Sequence, residues 1–266
     1  MQIQIDELHH TYPGNIHALR GVSLTIAPGE RVALIGQNGS GKTTLVKHLN
    51  GLLRPGQGKI TIGDWPTGQY TTAQLARRVA YLFQNPDEQL CQRTVWAEVA
   101  FGPRQLGYSE TAVVQQVSFA LDTLDLTAAA QTNPYDLNLS ERRRVALAAV
   151  LAMDTPIIVL DEPTLGQDAL FLTHLAALLD RWRAGGHTVL AISHDMEFVA
   201  EQFPRTILLH QGMVAADGNT LTVLAEAAQG AETAVQPPQL LRLAQQLNIS
   251  LDGPNVTDFL AAYRYR

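Results

Sequence analysis

The stretch Arg31-Val-Ala-Leu-Ile-Gly-Gln-Asn-Gly-Ser-Gly-Lys-Thr43 joins an apolar run to a glycine-rich loop, and a helical pattern, TTLVKHLNGLL, continues over 43–53. The loop fits G-x-x-x-x-G-K-[ST], a pattern with mechanical meaning only between a strand and a helix. Both flanks are present. Glycines let successive backbone N–H groups turn inward around phosphate oxygens. The helix start adds partial positive charge. The predicted phosphate cradle is Gly36, Gln37, Asn38, Gly39, Ser40 and Gly41, with Thr44 following. Lys42 is placed to reach the β- and γ-phosphates, and Thr43 to hold Mg2+.

A second apolar run, Ile157-Ile-Val-Leu, ends in Asp161-Glu162. It predicts a buried strand with two carboxylates at its C-terminal end, the edge where open α/β sheets bind ligands. Asp161 can hold the metal through its water shell, and Glu162 can polarise the attacking water. Two further residues end apolar runs: Gln84 closes VAYLFQ and His194 closes TVLAISH. A lone histidine is usually packed or on the surface. At the same sheet edge as Asp161, His194 is expected to reach the γ-phosphate, and Gln84 to sense metal and water.

Short strands at 3–5, 23–26, 31–35, 59–62 and 79–83 precede a mostly helical region at 91–153. Buried-strand runs then alternate with helices over 154–215. Such alternation indicates a parallel sheet covered on both faces. From about 217 a small-residue-rich stretch leads to Pro237-Pro238 and a short helix, predicting a separate C-terminal element over 217–266. The 266 residues are 46% hydrophobic and 17% charged, enough for a sizeable core. A net charge of −6 argues against nucleic acid as a partner. Cys91, the single cysteine, excludes an internal disulfide and fits a reducing compartment. No apolar run approaches the roughly 18–20 residues that span a bilayer, and MQIQIDELHHTYPG carries no secretion signal, so a soluble, cytoplasmic chain is expected.

Together these residues resemble the nucleotide-binding subunit of ABC transporters over about residues 1–217. The resemblance implies a P-loop α/β fold: a parallel core sheet, an N-terminal antiparallel β subdomain and a helical signature subdomain at about 88–153. It implies that Tyr12 stacks on adenine and that the loop ending in Asp168 lies at the dimer contact. FQNPDEQL (83–90), TVWAEVAFGPRQLG (94–107) and PPQLLRLAQQL (237–247) are most similar to the energy-coupling-factor ATPases of vitamin and metal-ion importers. In that group the stretch after Gln84 faces a transmembrane coupling protein, which would leave Asp87 and Glu88 to pair with its arginines. A plain solvated acidic turn is the alternative. The C-terminal segment of that group helps hold two ATPase subunits together, and a separate membrane protein binds the transported substrate. The chain is thus expected at the cytoplasmic face of a bacterial or archaeal membrane. A soluble ABC ATPase of translation or DNA repair is the competing expectation. Such proteins tend to carry two cassettes, coiled-coil insertions or basic patches, which this chain lacks. There is also no Asn-Lys-x-Asp motif for reading guanine.

The family signature, Leu-Ser-Gly-Gly-Gln, is altered. Leu137 precedes Asp161 by 24 positions, the family spacing, so the register places Asn138, Leu139, Ser140 and Glu141 where Ser, Gly, Gly and Gln are usual. Asn138 is a good N-cap, and Glu141 at N3 predicts a capping box. Clearance at Leu139 and Ser140 is lost. In the family the signature closes on the triphosphate held by the other subunit, so the resemblance implies that Glu141 brings a carboxylate near it; Arg142, Arg143 and Arg144 could offset this, or could simply be solvated or face a partner. The resemblance therefore implies complete residues for ATP in this chain and a weakened signature offered to the partner, as in an asymmetric heterodimer. A homodimer with the Ser140 hydroxyl standing in for the serine is the other possibility.

Overall fold

The apolar runs do form the parallel sheet, and their alternation explains how it is covered. A computed structural model describes residues 1–229, 235–247, 249, 251 and 253–264. The chain opens with β1 (Ile3–Tyr12) and β2 (Ile16–Ile26), an antiparallel pair. The strand β3 (Arg31–Ile35) then leads through the glycine-rich loop into α1 (Lys42–Leu49). After these come β4 (Gln57–Ile62), β5 (Trp65–Pro66), α2 (Thr72–Leu75) and β6 (Val79–Leu82). Three helices follow: α3 (Val95–Leu106), α4 (Glu110–Thr123) and α5 (Leu139–Met153). The chain returns through β7 (Ile157–Asp161), α6 (Ala169–Ala184), β8 (Thr188–Ile192), α7 (Met196–Gln202), β9 (Arg205–His210) and β10 (Met213–Asn219). It ends in α8 (Thr220–Gln229), α9 (Gln239–Gln246) and α10 (Val256–Arg264).

Two sheets result, one in the order β2-β1-β4-β5 and one in the order β10-β9-β3-β8-β7-β6. In the larger sheet only β10 runs antiparallel to its neighbour. Period-two alternation divides its side chains between two cores. Val32, Leu34, Ile157, Val159, Leu190 and Ile192 meet α1 and the smaller sheet. Ala33, Ile35, Ile158, Leu160, Val189 and Ala191 meet α3, α4, α5 and α6. This is the α/β arrangement expected: a parallel core sheet, an antiparallel N-terminal sheet and a helical layer. Among the described residues no helix is long and apolar enough to cross a membrane.

The expected boundary at 217 falls inside β10, and packing continues across it. Thr220 donates to the Phe203 carbonyl at 2.5 Å and lies 2.8 Å from the Thr206 hydroxyl. Val223, Leu224 and Ala227 of α8 join the main core. Composition suggested the start of a separate C-terminal element there. The long-range pairing of β10 with β9 makes it the last strand of the sheet.

Candidate nucleotide site

The parallel strands deliver the predicted residues to one place. The loop after β3, Gln84 beyond β6, Asp161 and Glu162 at the end of β7, and His194 beyond β8 all lie at the C-terminal edge of the sheet. One cleft there is lined by Tyr12, Asn38, Gly39, Gly41, Lys42, Thr43, Thr44, Gln84, Asp161, Glu162 and His194. Gly36, Gln37 and Ser40 belong to the loop behind it. Gly36 has φ +142°, and a Cβ there would strike the Leu209 carbonyl and the Ser40 hydroxyl. Gly41, at φ +105°, is the N-cap of α1, and a Cβ would meet the Ala18 carbonyl at 2.6 Å. Side chains at either position would force the loop away from this tight form.

Lys42 is buried and folds back on the loop, donating to the Gly36 and Gln37 carbonyls at 2.7 and 2.8 Å. Burial lowers its pKa, while Glu162 and Asp161 oppose that effect. Asp161 accepts a hydrogen bond from the Tyr81 hydroxyl at 2.8 Å through Oδ2, and its buried Oδ1 has no partner among the described residues. Burial pushes the Asp161 carboxyl up, countered first by the Tyr81 and Thr43 hydroxyls. An unpartnered carboxylate oxygen beside a threonine hydroxyl is a hard-oxygen donor set, and it fits Mg2+ better than a softer metal. Tyr81 was not anticipated; a hydroxyl inside an otherwise apolar strand was its only signal.

Glu162 sits at φ +53° and is buried. Its carboxylate accepts from the His194 backbone N–H at 3.2 Å and lies 3.2 Å from His194 Nε2. Burial first, with Asp161 adding to it, pushes its pKa up to about 7 against the bond from the His194 N–H. Burial and Lys42 lower that of His194, which favours the neutral imidazole. The pair can hold a water and take its proton.

The shift in Glu162 has a consequence for stability. Its folded pKa lies above its ordinary value of 4.5, so the group favours the fold at low pH, and that contribution is lost as pH rises from 4.5 through about 7. Without nucleotide, Glu162→Gln should therefore melt higher than the parent at pH 8, by roughly a few degrees. At pH 4.5 the two should be close. Thermal melts at both pH values check this, and a difference independent of pH would show that Glu162 does not titrate as buried.

At the altered signature, α5 begins with the expected capping box. Asn138 Oδ1 accepts from Glu141 N, and Glu141 Oε2 accepts from Asn138 N, both at 3.0 Å. The Glu141 carboxylate is thus turned back onto its own helix start. The other side chains are tied within the chain in ways the sequence did not suggest. Ser140 donates to Gln167 Oε1 at 2.9 Å. Arg143 donates to the Leu165 carbonyl, and Arg142 Nη1 to Asp87 Oδ1 at 2.8 Å. Arg144 lies 3.4 Å from the Leu124 carbonyl. Each guanidinium makes one of these contacts through Nη1, while the Nε atoms of Arg142, Arg143 and Arg144 are buried with no partner among the described residues. Asp87, expected to be available to another protein, is paired here because its turn packs over the first turns of α5. Glu88 is exposed. Leu139 is 46% exposed, and Asp168 caps α6 by accepting from Phe171 N at 2.8 Å.

A glycine-rich loop under a buried lysine, with two carboxylates at the adjoining strand end, defines a P-loop nucleoside triphosphatase. The ABC transporter family pattern matches residues 19–165. The energy-coupling factor transporter ATP-binding protein EcfA of Methanothermobacter thermautotrophicus is 36% identical over 93% of this chain and 80% of its own length. The structure of cbiO1 from Clostridium perfringens, part of the ABC transporter complex cbiONQ, superposes with a TM-score of 0.74 at 29% identity, covering 91% of this chain and 98% of that one. The ATP-binding cassette MJ0796, in a dimeric post-hydrolysis state with ADP and Pi, gives 0.76 at 25% identity over 82% and 98%. The chain belongs to the ABC transporter ATP-binding family and is an ATPase.

Proposed function

We propose that this chain is one ATPase subunit of an energy-coupling-factor importer for a vitamin or metal ion. It would work at the cytoplasmic membrane face as half of a head-to-tail heterodimer, driving a transmembrane coupling protein that serves a substrate-binding membrane protein. The cleft formed by the phosphate loop, Asp161, Glu162 and His194 carries the ATPase part of this reading. The similarity to EcfA and cbiO1 supports the transporter class.

In this reading the loop N–H groups and Lys42 hold the β- and γ-phosphates. Lys42 exchanges its two loop carbonyls for phosphate oxygens. Thr43, Asp161 and Gln84 would hold Mg2+, which when bound neutralises charge on the phosphate oxygens. Glu162 takes a proton from water, His194 steadies Glu162 and reaches the γ-phosphate, and Tyr12 stacks on adenine. Asn138, Leu139, Ser140, Glu141 and Asp168 face the partner's ATP. Glu88 is free to meet the coupling protein, while Asp87 would first have to leave Arg142. The Ser140–Gln167 pair supports asymmetry: the hydroxyl best suited to replace the missing signature serine is engaged within its own chain.

Affinity purification of the tagged chain from membranes should bring a related ATPase and integral membrane proteins in stoichiometric amounts. Ribosomes or DNA in their place would favour the soluble alternative, and self-association alone would remove the heterodimer.

A further inference from the structure

Tyr12 stands on the smaller sheet, whereas the phosphate loop hangs from the larger one. Any ligand that spans both needs them held in register. The Tyr12 and Thr44 hydroxyls lie 3.2 Å apart, which ties the ring's far end to α1. The His10 ring stands edge-on to the Tyr12 ring, with centroids 4.6 Å apart at 77°. Beyond His10 comes His48, a fully buried side chain on α1. His48 Nδ1 is 2.7 Å from the Thr44 carbonyl, and its Nε2 is 3.2 Å from His10 Nδ1.

Hydrogen-bond logic fixes the protons. A carbonyl only accepts, so His48 Nδ1 carries hydrogen. Burial lowers the His48 pKa, so the ring is neutral and its Nε2 is bare. His10 Nδ1–H must then be the donor. The result is a continuous brace: Thr44 carbonyl, His48, His10, Tyr12, and back to the Thr44 hydroxyl. It joins the strand end to the helix whose first residues are Lys42 and Thr43.

We propose that His10 and His48 are positioning residues for the nucleobase, locking the Tyr12 ring to the phosphate-loop helix so that base and triphosphate are received together. The proposal rests on the cleft being the ATP site. Neither histidine touches nucleotide in this scheme. They spare the complex the cost of ordering the ring on binding.

The test is calorimetric titration of the full chain with Mg-ATP and, separately, with inorganic tripolyphosphate plus Mg2+. Since base–aromatic stacking is the interaction at stake, His10→Ala should weaken ATP binding about five- to tenfold and leave tripolyphosphate within about twofold. His10→Asn retains a donor toward His48 and should recover part of the loss. His48→Gln should follow His10→Ala. Equal weakening of both ligands would mean that the brace only supports the loop, and no change in either would mean that it does not set the ring; each result overturns the proposal. Tyr12→Ala separates the two levels. If it weakens ATP while His10→Ala does not, the brace alone is refuted. If it has no effect, the stacking role of Tyr12 falls with it.

Discussion

Glu162→Gln should bind ATP about as tightly as the parent and lose turnover by roughly 10²–10⁴-fold, the usual contribution of a positioned general base. The geometry allows so selective a loss. Glutamine is nearly isosteric, its amide oxygen can still accept from the His194 N–H, and the β7–β8 bond from Glu162 N to the Ile192 carbonyl is untouched. Only basicity disappears. In the parent, burial holds the carboxyl near pKa 7, which suits proton transfer at neutral pH. Turnover should therefore rise as pH passes upward through about 7, because the protonated acid cannot accept the water's proton. Steady-state ATPase rates across that range, paired with equilibrium ATP binding, check both points. Unchanged turnover in Glu162→Gln would remove this carboxylate from the mechanism.

Lys42→Ala should cost roughly 10²–10³-fold in ATPase rate, the scale for removing one preorganised electrostatic group. Within a heterodimer the equivalent lysine change in the partner should cost much less. The reason lies in how the two sites are composed. In the proposed heterodimer, ATP on this chain would meet Lys42, Asp161, Glu162 and His194 and be closed by the partner's signature. ATP on the partner would be closed by Asn138-Leu-Ser-Glu141, which keeps its helix cap, lacks glycine clearance and holds Ser140 against Gln167. Rates measured on the reconstituted pair with each lysine changed in turn distinguish the cases. Equal losses would count against asymmetry.

Much of this protein is legible in one dimension because its physics is local. The phosphate loop, its strand and its helix occupy consecutive residues, and glycine freedom, apolar alternation and helix polarity all act over a few positions. The Asn138–Glu141 capping box is read the same way, since both its bonds lie within one turn. Parallel strands that lead into Gln84, Asp161 and His194 place those residues at one edge wherever the strands stand in the sheet. Local pattern also misleads: a polar, small-residue stretch after 216 concealed the fact that 213–219 pairs with β9.

The contacts that give each side chain its present occupation had no such signal. Arg142 and Asp87 are 55 positions apart, Tyr81 and Asp161 80, Ser140 and Gln167 27, and His10 and His48 38. Sequence determined which groups this protein has and which edge of the sheet receives them. Tertiary structure decided which are held within the chain and which face the cleft, because a hydrogen bond depends on ångström-scale placement that only the packing of separate elements sets.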